Sequence, residues 1–493
     1  MHSLTQATPF PRRDRLPAHS GRYGLWLAGA VLLLTLSTIS SQNITPAEFA
    51  YAGVLLSISI QAYLSWRQAG NTRIPAWPLA CAVHFVFYGL PLFGSVRVSP
   101  SLFDRGNDLP ESAIATAMLV GIAGLLSMGI GRMAAMKFAM RKTFRPSFLE
   151  MGTHTPVRIQ ALLVLGTAAN LFGMPFYGTV LWNISVITFS TLPLAAFVWL
   201  ILLGGGVRRL AQLDFLLAIA FLATRLISGA RFNASLGTIV VPLLLMGLAA
   251  VRARRQLPWR TIGLLACIIV FLQPGKGTIR QEMNRGELGG GMTDAMFRWV
   301  EVSASGWADV LSGRTALDEQ LSVTTSRSSL LTMTGLILEK TPETVPYQLG
   351  ADYPLLLQNL IPRIFWPEKP SVNIANQFFQ VEYGLTNKEN LSSVSIACGF
   401  EAEGYMNFGW LGILAVGLLV GFAFGIYEVT FFSAGSSLAA TAVGLALLPG
   451  FLTIEAQLVQ YLGGILQIAF AAGIVFHQVR RNARPMVVQE RPQ

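Results

Sequence analysis

Twelve apolar stretches, at about 23–40, 47–65, 75–94, 112–131, 158–175, 186–204, 211–228, 235–251, 261–273, 409–427, 436–453 and 460–477, dominate this chain of 493 residues. Most have roughly the 17 to 25 residues that a helix needs to cross the hydrocarbon core of a bilayer. Only 12% of the residues are charged, about half the share in soluble domains. The expected fold is therefore an all-α polytopic membrane protein with about twelve transmembrane helices and a large extracytoplasmic helical cap between spans nine and ten.

Short loops rich in Lys and Arg stay in the cytoplasm, and the basic residues give the expected orientation. Arg12, Arg13, Arg15 and Arg22 precede the first stretch, Arg67 and Arg73 follow the second, and a basic group from Arg132 to Arg145 follows the fourth. Arg208, Arg209, Arg252, Arg254, Arg255, Arg480, Arg481 and Arg484 continue the alternation. Both termini are expected in the cytoplasm. The organisation read from this pattern is spans 1–9 with a basic N-terminus over 1–273, an outer loop or cap over 274–408, spans 10–12 over 409–479 and a tail over 480–493. The cap interval holds 10 Lys and Arg against 15 Asp and Glu, while the rest of the chain holds 26 against 10. Charge thus follows topology, and nothing in its placement points to nucleic acid. The N-terminal run ends without a clear small-x-small cleavage site and reads as an uncleaved first span. Cys398 is the only cysteine outside the spans, so the sequence offers neither an intramolecular disulfide nor a Cys/His metal spacing.

On the outer side by this topology, Arg225 and Arg231 flank Ser228-Gly229 against the orienting bias. An arginine fork binds phosphate oxygens bidentately, so a diphosphate would account for their retention; snorkelling or a structural ion pair would as well. Within the long interval, Arg280 lies in a Gly-rich tract, and Pro362, Pro367 and Pro370 bracket a turn carrying Arg363 and Lys369. Phe365 and Trp366 share that turn and suit either a sugar or the membrane interface. Glu401, Glu403, Tyr405 and Asn407 follow. If the tenth helix begins early, Glu403 and Asn407 share a face with Tyr405 turned away. The competing role for Glu403 is an acid favoured at a helix start. His84, inside the third span beside Tyr88, is either functional or hydrogen-bonded within the bundle. Asp104, Asp108 and Glu111 read as a solvated turn and a helix start.

The run Tyr347-x-x-Gly350, Asp352-Tyr353, then IPRIFWPEKP from Ile361, then EGYMNFGWLG from Glu403 to Gly412 resembles the Wzy-type oligosaccharide repeat-unit polymerases, the O-antigen and exopolysaccharide polymerases of bacteria. Ser-Gly-Ala-Arg ending at Arg231 adds to the resemblance. It implies a metal-independent glycosyltransferase of the inner membrane, without a cofactor. Such an enzyme would act on the periplasmic face and transfer a growing glycan from undecaprenyl diphosphate onto the next lipid-linked repeat unit, beside the flippase and chain-length regulator of its pathway. In those terms Arg231, with Arg225, Arg280, Arg363 and Lys369, supplies positive charge for the leaving diphosphate. Glu403, or Glu401, supplies the base, and Tyr405 and Asn407 contact substrate.

The related O-antigen ligases are thought to use a histidine in the large loop, but the five histidines here, His2, His19, His84, His154 and His477, all lie elsewhere. A metal-dependent transferase would show acids in the first outer loop, which offers only Glu48. A lipid-linked sugar transporter would show paired charges within the spans, and the sequence suggests almost none.

Overall fold

The computed structural model describes residues 20–40, 44–69, 74–94, 101, 108–141, 155–172, 191–203, 210–233, 236–254, 259–288, 293–314, 329–359, 361, 366, 368–370, 374–391, 396–433 and 436–476. Among them every regular element is a helix. The first nine are α1 (Ser20–Ile39), α2 (Pro46–Gln68), α3 (Ala76–His84), α4 (Glu111–Arg141), α5 (Thr155–Phe172), α6 (Leu192–Leu203), α7 (Gln212–Asn233), α8 (Leu236–Arg254) and α9 (Trp259–Leu272). The long polar interval contributes α10 (Gly275–Asn284), α11 (Asp294–Leu311), α12 (Leu330–Lys340), α13 (Pro354–Asn359) and α14 (Ile374–Glu382); α15 (Phe400–Phe432), α16 (Leu438–Leu452) and α17 (Leu458–Phe476) close the chain.

Each expected apolar stretch overlaps one of these helices. Five helices among the described residues are long and apolar enough to cross a membrane: Pro46–Gln68, Ala76–Phe93, Glu111–Ala139, Gln212–Ala230 and Phe400–Phe432. Six others, from Tyr23–Thr38 to Leu438–Leu452, are apolar but shorter.

Local chemistry sets several helix ends. Thr45 and Glu48 form a reciprocal cap on α2: the Thr45 hydroxyl accepts the Glu48 N–H at 3.2 Å, and the Glu48 carboxylate accepts the Thr45 N–H at 2.8 Å. Glu48 is thereby a structural residue. Beyond His84, α3 continues as a π turn over Phe85–Gly89 and a 3-10 turn over Leu90–Phe93.

The bundle is organised around the packing of α15 on α4. A Cβ built at Gly421 would lie 1.9 Å from the Met128 carbonyl oxygen, one at Gly417 1.9 Å from the Ser127 hydroxyl, and one at Gly425 2.6 Å from the Arg132 carbonyl. Glycine at every fourth position lets the two backbones touch, the arrangement by which helices associate where no water drives them together. Because Gly417, Gly421 and Gly425 meet Ser127, Met128 and Arg132 in that order, the helices run in the same direction. The polar interval also enters this core: Leu330 and Leu331 of α12 are buried in the same cluster as Phe400 and Phe424.

The tenth apolar helix proper begins just past a break at Phe408 and Gly409, close to the expected residue 409, and an additional short helix from Phe400 precedes it. One boundary differs from expectation. The segment carrying Arg225 and Arg231, expected as a loop, is helical through Asn233.

Candidate functional site

The start of α15 is a separate short helix. At Phe408 and Gly409 the backbone leaves the helical region, with φ −141°, ψ 20° and then φ 60°, ψ −142°. In a continuous helix Gly404 and Gly412 would be about 12 Å apart along the axis. Instead a Cβ at Gly412 would lie 1.9 Å from the Gly404 carbonyl oxygen. Residues 400–407 therefore double back against the helix that starts at Trp410, with Gly409 as the corner, in a conformation open essentially to glycine. Gly409 and the short helix from Phe400 to Gly404 are buried, while the Phe408 side chain is exposed.

A strap from Tyr347 to Tyr353 closes the open end of this short helix. The N–H groups of Gln348 and Leu349 donate to the carbonyls of Met406 and Asn407 at 3.0 and 3.2 Å. The Gly350 N–H donates to the Asn407 side-chain oxygen at 2.8 Å. The other end of that amide donates to the Glu403 carbonyl at 3.0 Å. Carbonyls that a helix end would leave without partners are thus satisfied. The two motif segments, Tyr347–Tyr353 and Glu403–Gly412, form one structural unit.

Glu401 and Glu403, two residues apart on a helix, point to different sides. Glu401 is fully buried against α3 and α4, where its Oε1 lies 2.7 Å from His84 Nε2 and its Oε2 accepts the Tyr88 hydroxyl at 3.4 Å. The His84 ring stacks on Tyr88 at 5.7 Å. Gly124 makes room for the carboxylate: a Cβ there would lie 2.5 Å from Glu401 Cγ. The Tyr51 hydroxyl, beside Gly121, and His84 Nδ1 are buried without hydrogen-bond partners.

Glu403, also fully buried, faces α13 and α17. Its Oε2 accepts the N–H of Leu458, the first residue of α17, so the carboxylate sits at the positive end of that helix. Its Oε1 has no partner. Around it are further buried polar atoms in the same condition: Asp352 Oδ2, the Tyr353 hydroxyl and both amide atoms of Gln457. Burial holds the Asp352 carboxyl above its ordinary range. It does the same to the Tyr353 hydroxyl, to which the nearby carboxylates of Glu403 and Asp352 add. Buried polar groups are nearly always satisfied; the orphans around this carboxylate are the groups that a polar ligand would satisfy.

The remaining sequence-derived residues divide clearly. Tyr405 is half-buried in an aromatic group, edge-on to Tyr347 at 6.1 Å and Trp410 at 6.5 Å. Lys369 is buried and donates to the Ile361 carbonyl at 2.9 Å. Arg280 is exposed on α10, whose Ile279 packs with Trp299 and Ala230 in a separate cluster. Arg225 lies within α7 with its Nε buried and unpartnered. The Arg231 side chain and Arg363 lie outside the described residues. The structure thus joins Glu403 and Asn407 directly and turns Glu401 away toward His84.

The expectation of almost no paired charges within apolar helices is corrected by the Arg132–Glu428 ion pair, and His84 and Glu401 add a buried hydrogen-bonded pair of ionisable groups. His84 carried a signal, as an ionisable group in an apolar span; its partner lies 317 positions away. Gln457 carried none. Among the described residues no three His, Cys, Asp or Glu side chains are grouped as a metal site.

Fold and site define an all-helical chain with membrane-length apolar helices and a buried, doubled-back helix carrying two carboxylates. The chain belongs to the family described as a domain of unknown function, DUF8712, whose model matches residues 113–432. That match runs from α4 to the end of α15 and takes in Glu401, Glu403 and the strap, but neither His84 nor Gln457. No curated protein matches the chain, and no solved structure does.

Proposed function

We propose that this protein is a polytopic membrane glycosyltransferase that polymerises lipid-diphosphate-linked oligosaccharide repeat units on the outer face of the bacterial inner membrane. The observation that carries this reading is the Glu403 carboxylate, with one oxygen tied to the N-terminus of α17 and the other unpartnered among Asp352, Tyr353 and Gln457. Fixed by the first contact, the free oxygen is placed to accept the proton of an acceptor sugar hydroxyl. The hydroxyl oxygen bonds to the anomeric carbon of the donor as the bond from that carbon to the diphosphate oxygen breaks, and undecaprenyl diphosphate leaves with the electron pair. Arg231, Arg225, Arg280, Arg363 and Lys369 are the proposed sources of positive charge for that leaving group, and Tyr405 the aromatic wall at the rim. The flippase and chain-length regulator of the same pathway are the proposed partners.

The parallel run of α4 and α15 supports the proposed topology, because the five crossings between the fourth and tenth spans bring the chain back in the same direction. Cytoplasmic termini and a periplasmic 274–408 interval belong to this proposal.

A second reading, transport of a lipid-linked sugar without bond formation, is favoured by one observation: the buried His84–Glu401 pair beside a discontinuous helix, a feature that transporters use for coupling ions. Reconstitution in nanodiscs with a lipid-diphosphate-linked repeat unit separates the two. Polymerisation gives a glycan ladder; transport gives translocation and no new glycosidic bond.

A further inference from the structure

At the opposite end of α15 from Glu403 lies a cavity of about 700 Å³. By the rise of an α-helix it is about 28 Å from the Gly409 corner to Glu428. The walls come from the C-terminal half of α2, the start of α3, the last turns of α4 and α15, and Trp26 of α1. The C-terminal parts of α2, α4 and α15 and the starts of α1 and α3 thus meet at one end of the bundle, which the proposed topology puts at the level of the headgroups.

Most of the lining is apolar; Ser57, Gln61 and Ser65 are polar, and one ion pair carries the charge. Ile58, Ile74, Pro78, Met136 and Phe432 line it, and Arg132 and Glu428 form an ion pair in its wall with 20% and 13% of their side chains exposed. Arg132 gives its Nε to Glu428, and its guanidinium carbon lies 5.0 Å from the centre of the Trp77 ring. The carboxylate on one side and the indole face on the other fix the plane of the fork. Nη1 and Nη2 have no protein acceptor among the described residues. A guanidinium so held presents a ready bidentate site for a phosphate. A net-anionic headgroup, however, would bring its charge beside the Glu428 carboxylate. A phosphate that carries its own ammonium avoids that repulsion, and the indoles of Trp26 and Trp66, both lining the cavity, are surfaces that attract an ammonium.

We propose that this cavity binds one zwitterionic phospholipid of the phosphoethanolamine kind, its phosphate on the Nη edge of Arg132, its ammonium toward Glu428 and the tryptophans, and its chain along the apolar wall. The site is separate from the buried polar cluster at Glu403 and its occupancy does not depend on the activity proposed above.

The test is native mass spectrometry of the delipidated full-length protein titrated with phosphatidylethanolamine or phosphatidylglycerol of identical chains, with O-phosphoethanolamine and inorganic phosphate as competitors. Expected are one tightly held phosphatidylethanolamine, weaker phosphatidylglycerol, and displacement by O-phosphoethanolamine but not by inorganic phosphate. Arg132→Gln should weaken binding by about tenfold or more, the loss of a charged bidentate contact. Ala62→Phe, which fills the cavity without touching the ion pair, should do the same and decides the matter if Arg132→Gln fails to fold. Equal affinity for the two lipids, displacement by inorganic phosphate, or wild-type binding in folded Ala62→Phe overturns the proposal.

Discussion

The side-chain carboxylate of Glu403 accepts the backbone N–H of Leu458, 55 residues further along the chain, and so joins the doubled-back start of α15 to the N-terminus of α17. One oxygen is committed to structure and the other is left for chemistry. Glu403→Gln retains a carbonyl oxygen that accepts from Leu458, whereas Glu403→Ala removes the acceptor and leaves a helix end uncapped. The Ala variant is therefore expected to be less stable than the Gln variant by about 1 kcal/mol or more, read as a lower Tm in detergent. Equal Tm values would mean that this contact does not hold the two segments together.

The corner at Gly409 is the most demanding backbone position of the site. Its φ of 60° with ψ of −142° is unfavourable for any residue with a Cβ, and a Cβ there would lie 3.2 Å from the Tyr347 hydroxyl. Gly409→Ala is expected to cost roughly 1–3 kcal/mol. The cost should appear as a lower Tm and as faster proteolysis in the strap from Tyr347 to Tyr353, which rests on the residues just before the corner.

His84 and Glu401 satisfy one another in a fully buried setting, so removing one partner leaves the other stranded. His84→Phe or Glu401→Ala alone is expected to destabilise by about 3–5 kcal/mol. The double variant His84→Phe/Glu401→Leu should lose less than the sum of the two single changes. Additive losses in thermal unfolding would show that the pair is not coupled.

Asp352 gives the site a pH signature. Burial raises its folded pKa, so the folded chain binds this proton more tightly than the unfolded chain. Its contribution to stability is then greatest at low pH and falls as pH rises from the ordinary aspartate range, about 3.9, through the higher folded value. Asp352→Asn removes that slope. The Tm of the Asn variant should rise relative to wild type between about pH 4 and pH 7; a constant difference would place Asp352 in water.

The topology has a labelling test. Arg285, exposed at the end of α10, lies in the interval proposed to face outward. In a chain whose Cys267, the exposed native thiol, is replaced by Ser, Arg285→Cys should react with a membrane-impermeant maleimide added to intact spheroplasts. Labelling only after lysis would invert the orientation.

The helices could be read from the sequence because apolar runs are a local property, and the relation of Glu403 to Asn407 because four residues make one helical turn. The doubled-back helix was not legible. EGYMNFGWLG carried a family resemblance, but that Gly409 turns a corner and that Gly404 meets Gly412 depends on tertiary contact. For the same reason the sequence favours Glu403 over Glu401 only through its shared face with Asn407: their separation into a His84 partner and a half-free carboxylate is decided by helices more than 300 and 50 positions away. Arg225 and Arg231 read as loop cations because charge obscured the end of α7, which runs through both.

The most direct test of the central claim compares wild type with Glu403→Gln in nanodiscs supplied with a lipid-diphosphate-linked repeat unit, products resolved by chain length. Wild type should build a ladder, and the folded Glu403→Gln variant should lose about 10²- to 10⁴-fold in rate, the usual contribution of a positioned base. A Glu403→Gln variant that builds the ladder at the wild-type rate would contradict the account.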